Sequence, residues 1–372
     1  MAGVYIHIPF CKQACHYCNF HFATSLVYKE AVVRALINEL SLRKDYLQNE
    51  EVQTIYFGGG TPSLLTGADL LMLLDGLKRH YHLAQKVEVT LEANPDDITE
   101  AKLQQWKLIG INRLSIGVQS FFEEDLIWMN RAHNAKQAIE NLLLATQYFE
   151  NITLDLIYGS PGLSNEKWKQ NVATALQLGI PHLSCYALTV EEKTPLEKLI
   201  RQQKLANVNT DTQSEQFLLL MEWLAEAGYE HYEISNFAKP GWRSRHNSSY
   251  WQGKKYIGIG PSAHSFNGTE RQWNVANNNL YIQSLEKDLI PFEKETLNTT
   301  QQVNEYIMIS LRTMEGVNLP ILQKKFNIDS YQFLLKANKF ISQHLLSEKN
   351  GFIYLTQEGK LLADGIAADL FY

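Results

Sequence analysis

Three cysteines, Cys11, Cys15 and Cys18, sit within eight positions of the stretch "YIHIPFCKQACHYCNFHF", residues 5–22, and the chain has only one other, Cys185. The spacing C-x3-C-x2-C offers three thiolates from one loop and no fourth thiol nearby. Structural zinc asks for four ligands, usually from two knuckles. Here only Cys15 and Cys18 form a C-x-x-C, and Cys185 lies in the apolar run "HLSCYAL". His7, His16 or His21 could complete a zinc site, so zinc stays open as an alternative, as does the bland reading of three unrelated buried thiols. A [4Fe–4S] cluster normally takes four cysteines. Supplying three leaves one iron free for a small molecule, which gives the missing ligand a purpose.

A loop of this kind needs a scaffold. The chain has 372 residues, 45% hydrophobic and 20% charged, enough for one large and one small domain. A formal charge of −6 supplies no overall positive field to draw in nucleic acid or anionic lipid. The N-terminus reads as no signal peptide, and no run approaches the length of a membrane span. The expectation is a cytoplasmic protein, where clustered thiols point to metal or catalysis rather than disulfides. Strand-like runs alternate with helical segments: "VYIHI", a helix over about 25–48, "VQTIYF", a helix near 68–80, "VEVTLEANP", a helix near 99–108, "RLSIGVQS", two helices across 122–149, "ITLDLIYGSP", a helix near 165–178 and "HLSCYAL". Six such units predict an α/β fold, a partial (β/α)6 barrel whose ligands gather at the carboxyl ends of the strands. Residues 300–372 read as a smaller, mainly helical, winged-helix-like domain, with 236–299 connecting it to a core of residues 1–235.

Other special residues fall where strands end. In "GGGTP", Gly58, Gly59 and Gly60 let backbone approach a ligand closely, although such a run is also an ordinary turn. Glu92 in "LEANP" could accept a hydrogen bond from a cofactor or simply be solvated. Gln119 in "IGVQS" and Arg131 in "MNRAH" are ambiguous singly. Asp155 in "LDLIYGSP" is more informative, because a carboxylate inside an apolar strand is costly unless it is bonded. Ribose hydroxyls would satisfy it.

The cysteine spacing, with Tyr17 before the last thiol, resembles the radical S-adenosylmethionine (SAM) enzymes. In those enzymes SAM chelates the open iron and is cleaved to a 5′-deoxyadenosyl radical. Taken in order, Tyr5, the triad, Tyr17, GGGTP, Glu92, Gln119, Arg131, Asp155 and Ala187 are similar to one branch, the oxygen-independent coproporphyrinogen III oxidases and the HemW-type heme chaperones. The resemblance covers nearly the whole chain. It implies a cluster on the triad and the methionine end of SAM against Gly59, Gly60 and Thr61. It also implies Tyr5 beside cluster and SAM, Tyr17 next to the adenine, and Gln119, Arg131 and Asp155 holding SAM or, in the oxidases, a second SAM.

Within the branch, the oxidases carry a further cysteine two places after the triad, where this chain has Phe20, and a long arm ahead of it. "HNSSYW", His246 to Trp251, matches the H-N-x-x-Y-W element of the chaperones. The resemblance therefore implies a heme chaperone with heme, an acceptor protein and an electron donor as partners; the runner-up is an oxidase of coproporphyrinogen. His246 is the first candidate for a heme-iron contact and His264 the second, with Tyr250, Trp251 and Tyr256 as an aromatic wall. The cluster could act as an assembly switch, through a homodimer for example, or SAM could be cleaved during transfer.

Overall fold

The computed structural model describes all residues, 1–372. Six parallel strands lie side by side in chain order: β1 (Ala2–Ile8), β2 (Val52–Gly59), β3 (Leu83–Ala93), β4 (Arg113–Gln119), β5 (Ile152–Tyr158) and β6 (His182–Ala187). Helices α1 (Lys29–Leu42), α2 (Gly67–His80), α3 (Glu100–Ile109), α4 (Glu123–Trp128), α5 (Ala135–Tyr148) and α6 (Asn165–Gln177) connect them. The helix expected over 25–48 is shorter. Leu26, Val27 and Tyr28 are exposed ahead of it, and Gln48 and Asn49 beyond it take left-handed backbone (φ 52° and 60°).

Side chains alternate along these strands. Val4, Ile6 and Ile8, Ile55 and Phe57, Leu114 and Ile116, Leu154 and Leu156 face outward and are buried in one large core. Their neighbours on the other face are Tyr5, Tyr56, Glu92, Ser115, Asp155 and Ser184. Parallel strands covered on both sides usually read as near-continuous apolar runs. Here one face is polar, because the sheet curls around a cavity rather than a second apolar layer. This is the partial barrel that the sequence predicts.

Residues 236–299 do more than connect. Beside β6 run β7 (Glu230–Glu233) and β8 (Asn236–Ala238), antiparallel; beside β1 runs β9 (Lys255–Ile259), parallel. The sheet continues through β10 (His264–Phe266), β11 (Glu270–Asn274) and β12 (Phe292–Thr296) to a total of twelve strands. These outer strands are short, and β11 and β12 are largely polar, so they carry little of the alternation that betrays a strand. Helices α7 (Pro195–Arg201), α8 (Thr210–Glu226), α9 (Arg245–Trp251) and α10 (Asn278–Leu285) lie between them.

The C-terminal unit has its own core, which includes Val303, Ile307, Leu322, Phe333 and Ile353. Helix α11 (Thr299–Leu311), β13 (Val317–Asn318), α12 (Leu319–Phe326), α13 (Ser330–Ser342) and the hairpin β14 (Leu346–Lys349)–β15 (Phe352–Leu355) follow in a winged-helix order. The final helical run divides into two short helices, Gln357–Lys360 and Ala363–Asp369.

One buried polar network ties the barrel to its extension. The Glu39 carboxylate, on α1, accepts from Gly260 N (2.8 Å), Asn274 Nδ2 (2.8 Å) and the Tyr281 hydroxyl (2.6 Å). Arg43, one turn on, pairs with it at 3.2 Å and donates to Gly258 O and Gln272 Oε1. Removing one partner of a buried pair strands the other, at a cost of about 3–5 kcal/mol. Glu39→Ala should lose that much stability in chemical denaturation, and Glu39→Leu combined with Arg43→Leu markedly less. A loss below about 1 kcal/mol in Glu39→Ala would show that the network is dispensable.

Candidate functional site

The cysteine loop leaves the carboxyl end of β1 and closes over a cavity of about 400 Å³ at the strand ends. Cys11, Cys15 and Cys18 all line it. The loop is clamped from the segment after α4. Gln13 Nε2 donates to Asn130 Oδ1 (2.7 Å), Asn130 Nδ2 donates to Ala14 O (2.7 Å), and His16 Nδ1 bonds Trp128 O (2.8 Å). His7 Nε2 bonds His21 O, and His21 Nε2 bonds Asn278 Oδ1, each at 2.8 Å. His7 is thus bonded on both ring nitrogens, whereas His16 and His21 each keep one free. No three His, Cys, Asp or Glu side chains converge closely enough to ligate one metal ion. A cubane cluster has no such need, since each thiolate binds a different iron. Burial pushes the bare Cys11 thiol up to about 11, with the Thr61 side chain pulling the other way. Bound iron would displace these protons. Cys185 is buried in the core on the outward face of β6.

The glycine run forms one wall. Gly59 has φ +111°, and a Cβ there would strike the His7 ring. A Cβ on Gly60 would come within 2.6 Å of Phe10 O. Glu92 fixes this wall: Tyr56 donates its hydroxyl to Oε1 (2.8 Å) and Gly59 its amide to Oε2 (3.1 Å). Thr61 is buried and accepts from Asn94 Nδ2 (3.2 Å). A backbone cradle with an acceptor behind it and three thiols beside it fits a cluster that carries a small polar ligand.

The remaining candidates close around the same space. Gln119 takes left-handed backbone (φ 74°) where β4 shifts register against β5, and this turns its side chain into the cavity. Arg131 reaches Gly117 O (2.6 Å), Asn94 Oδ1 (2.7 Å) and Cys15 Sγ (3.2 Å), with the Tyr17 hydroxyl at 3.4 Å. Its Nε is buried and unpartnered. Asp155 lies deeper, and Ala187 sits at the rim. Of the sequence candidates Tyr5, His246 and His264 stand outside the lining, as do Gly58 and the aromatics Tyr250, Trp251 and Tyr256. Tyr5 is just behind it, stacked on Tyr56 and bonded through its hydroxyl to His7 Nδ1 (3.1 Å).

Arg113, Tyr56, Asn94 and Asn247 line the cavity without having been singled out. Arg113 is 1% exposed, deep in the barrel, donates to Thr153 Oγ1 and leaves its Nε unpartnered. Its signal was the polar half of the strand alternation.

The "HNSSYW" element is α9, and it plugs the other end of the barrel. Glu88, on β3, accepts from the backbone N–H groups of Arg245 (3.3 Å) and His246 (3.1 Å), a carboxylate placed on a helix N-terminus. His246 is 1% exposed, and both of its nitrogens are used: Nδ1 shares a hydrogen bond with Thr54 Oγ1 (2.8 Å) and Nε2 with the Tyr250 hydroxyl (2.9 Å). Its ring stacks on Tyr56. The structure therefore places His246 in the barrel floor, buried and bonded on both ring nitrogens. His264 opens β10, is exposed, stacks on Trp273, and makes no side-chain hydrogen bond.

Comparison with known proteins matches this geometry. Residues 5–175 match the radical SAM superfamily, and residues 297–362 the HemN C-terminal domain. The chain is 35% identical over 374 aligned residues to the heme chaperone HemW of Mycobacterium tuberculosis, covering 99% of this chain and 94% of that protein. It is 33% identical to HemW of Bacillus subtilis, covering 98% of each. The chain belongs to the HemW family of radical SAM proteins. Its fold is shared with the coproporphyrinogen III oxidase HemN of Escherichia coli, TM-score 0.85 at 21% identity over 100% of this chain and 90% of that one.

Burial sets the electrostatics of this HemW-family barrel. Desolvation raises Glu92 to about 7, the neighbouring Asp155 adds to the rise, and Tyr56 and Gly59 oppose it. Asp155 is likewise raised to about 7 by burial, with Arg113 and Ser184 opposing. Buried imidazoles move the other way: His7 and His133 to about 4, His231 and His246 to about 3, chiefly by desolvation. A histidine depressed in the fold takes up its proton first in the unfolded chain, so its contribution is lost as pH falls from 6.5 toward these values. A raised carboxyl acts oppositely and adds stability as pH falls from about 7 toward 4.5. The apo chain should therefore denature more easily as pH drops from about 6.5 to 4, and Glu92→Gln should steepen that decline. A shallower decline in the variant would contradict the assignment. His246→Ala should cost on the order of 3 kcal/mol in denaturation at neutral pH, whereas a change under about 0.5 kcal/mol would mean that the ring is not a floor residue.

Proposed function

We propose that the chain is a heme chaperone. It carries a [4Fe–4S] cluster on Cys11, Cys15 and Cys18, binds SAM in the barrel, and hands heme to an acceptor protein in the cytoplasm. The observation that carries this reading is the likeness to the mycobacterial heme chaperone across essentially the whole of both chains. Phe20, 66% exposed, stands where the oxidases place a fourth cysteine, which supports the carrier over the oxidase.

When bound, the cluster and SAM would supply one-electron cleavage of a sulfonium, with the electron coming from a donor protein. This chain's own residues would do the rest. Gly59, Gly60 and Thr61 would admit the methionine end of SAM against bare backbone. Tyr17 would flank its adenine. Glu92 and Asp155 would accept from its amino or hydroxyl groups through lone pairs that the fold leaves free. Arg131 would hold Cys15 and the strand ends in register, with Gln119 facing the ligand.

After anaerobic reconstitution each of Cys11→Ala, Cys15→Ala and Cys18→Ala should lose most iron and sulfide, while Cys185→Ala should retain both. Equal loss in all of them would overturn the cluster assignment. SAM affinity should fall by about 1–3 kcal/mol in Glu92→Ala or Asp155→Ala, up to roughly a hundredfold; unchanged affinity in both would misplace the pocket. The reconstituted protein should bind heme and pass it to an apo-hemoprotein, and should not convert coproporphyrinogen III when supplied with SAM and reductant. Turnover at a rate comparable to an authentic oxidase would make it an enzyme of that class instead.

A further inference from the structure

A second cavity, of about 470 Å³, lies outside the barrel, between the plug helix α9 and the winged-helix unit. Its size falls in the range of small-molecule sites. Its apolar side chains are Trp251 from α9, Tyr306 and Ile309 from α11, Ile321 and Phe326 from α12, and Phe352 from β15, set among polar groups such as Gln302, Ser310 and Thr313. Ile321 is 40% exposed on this wall. The Trp251 indole N–H is buried and has no acceptor, although buried tryptophans usually find one.

The charges around the cleft are uneven. Its carboxylates are already matched, Glu315 by Arg243 (2.8 Å) and Glu305 by Arg271 (2.6 Å). Of the two cations in its own lining, Arg243 is paired and Lys325 forms no ion pair. A smaller pocket of about 250 Å³ adjoins, sharing Arg243, Ser248 and Gln252 with the cleft. It adds Arg245 and Lys254, neither of which meets a carboxylate. A cleft with aromatic side chains and unpaired cations at its edge suits an apolar macrocycle that carries carboxylate arms.

No histidine or cysteine lines this cleft. His246 is sealed behind Tyr250, and His264 starts β10, the strand whose far end, Phe266, reaches the cleft. We propose that the cleft between α9 and the winged-helix unit is the tetrapyrrole site, and that it grips the ring and its carboxylates rather than the iron. This rests on the heme-chaperone reading and gives that cargo a place. Leaving the iron's axial positions free of protein ligands would let an acceptor's own ligand take the iron during transfer.

The test is titration of the reconstituted full-length protein with hemin and, in parallel, with iron-free protoporphyrin IX, following tryptophan quenching and porphyrin fluorescence. Both should bind, with affinities within about tenfold of each other. Ile321→Glu and Lys325→Glu are solvent-side changes on α12 that should leave cluster content intact and weaken both ligands at least about tenfold. If hemin binds and protoporphyrin does not, iron ligation dominates and the inference falls while the chaperone reading stands. If both variants bind like wild type, the cleft is not the site. If hemin does not bind at all, the chaperone reading itself fails.

Discussion

A parallel sheet with one polar face must keep that face around something polar, and the rest of this structure follows from how its two ends are closed. At the carboxyl ends the cysteine loop folds over the mouth, clamped by Asn130 and Trp128. At the amino ends α9 forms the floor, its first N–H groups held by the Glu88 carboxylate and its His246 ring locked between Thr54 and Tyr250. Between them lie Glu92, Arg113 and Asp155, ionisable groups that a protein tolerates at such depth only where they are bonded or await a ligand. The barrel is thus built to hold charge in a confined space, as a cluster and a sulfonium cofactor require.

The plug helix divides the molecule into two compartments. Its inner side gives Asn247 to the barrel cavity, while Ser248, Trp251 and Gln252 face the cleft under the winged-helix unit. The indole of Trp251 also carries the Arg312 guanidinium 5.1 Å from its ring centroid, and Arg312 pairs with Glu233 of β7. One seven-residue helix therefore touches the barrel interior and the C-terminal unit, and through Arg312 it is linked to the sheet edge. This gives the "HNSSYW" element a physical reason to be a unit, because each of its faces serves a different neighbour.

Much of this was legible in the sequence. The six core strands and their helices announced themselves through apolar periodicity, and most of the cavity lining falls at strand ends, where an α/β sheet gathers its ligands, although Asp155 lies mid-strand in β5 and Arg131 follows α4. The partners of His246 were not legible. Thr54 lies 192 positions away, and an imidazole that will be bonded on both nitrogens looks the same in sequence as one that will meet iron. Arg113 was hidden for a related reason: its role depends on curvature that turns alternate residues inward. Segment 236–299 reads as a connection in the sequence because strands such as "FEKET" are short, exposed edges whose order comes from backbone pairing with a neighbour rather than from their own side chains.

With SAM in the barrel and heme in the cleft, as proposed, the two ligands would not compete. The direct measurement is retention of labelled SAM on the cluster-loaded protein while hemin is added to saturation. Unchanged SAM occupancy at full heme loading is the expected result. Release of SAM in proportion to the heme bound would place both ligands in the barrel and contradict the account.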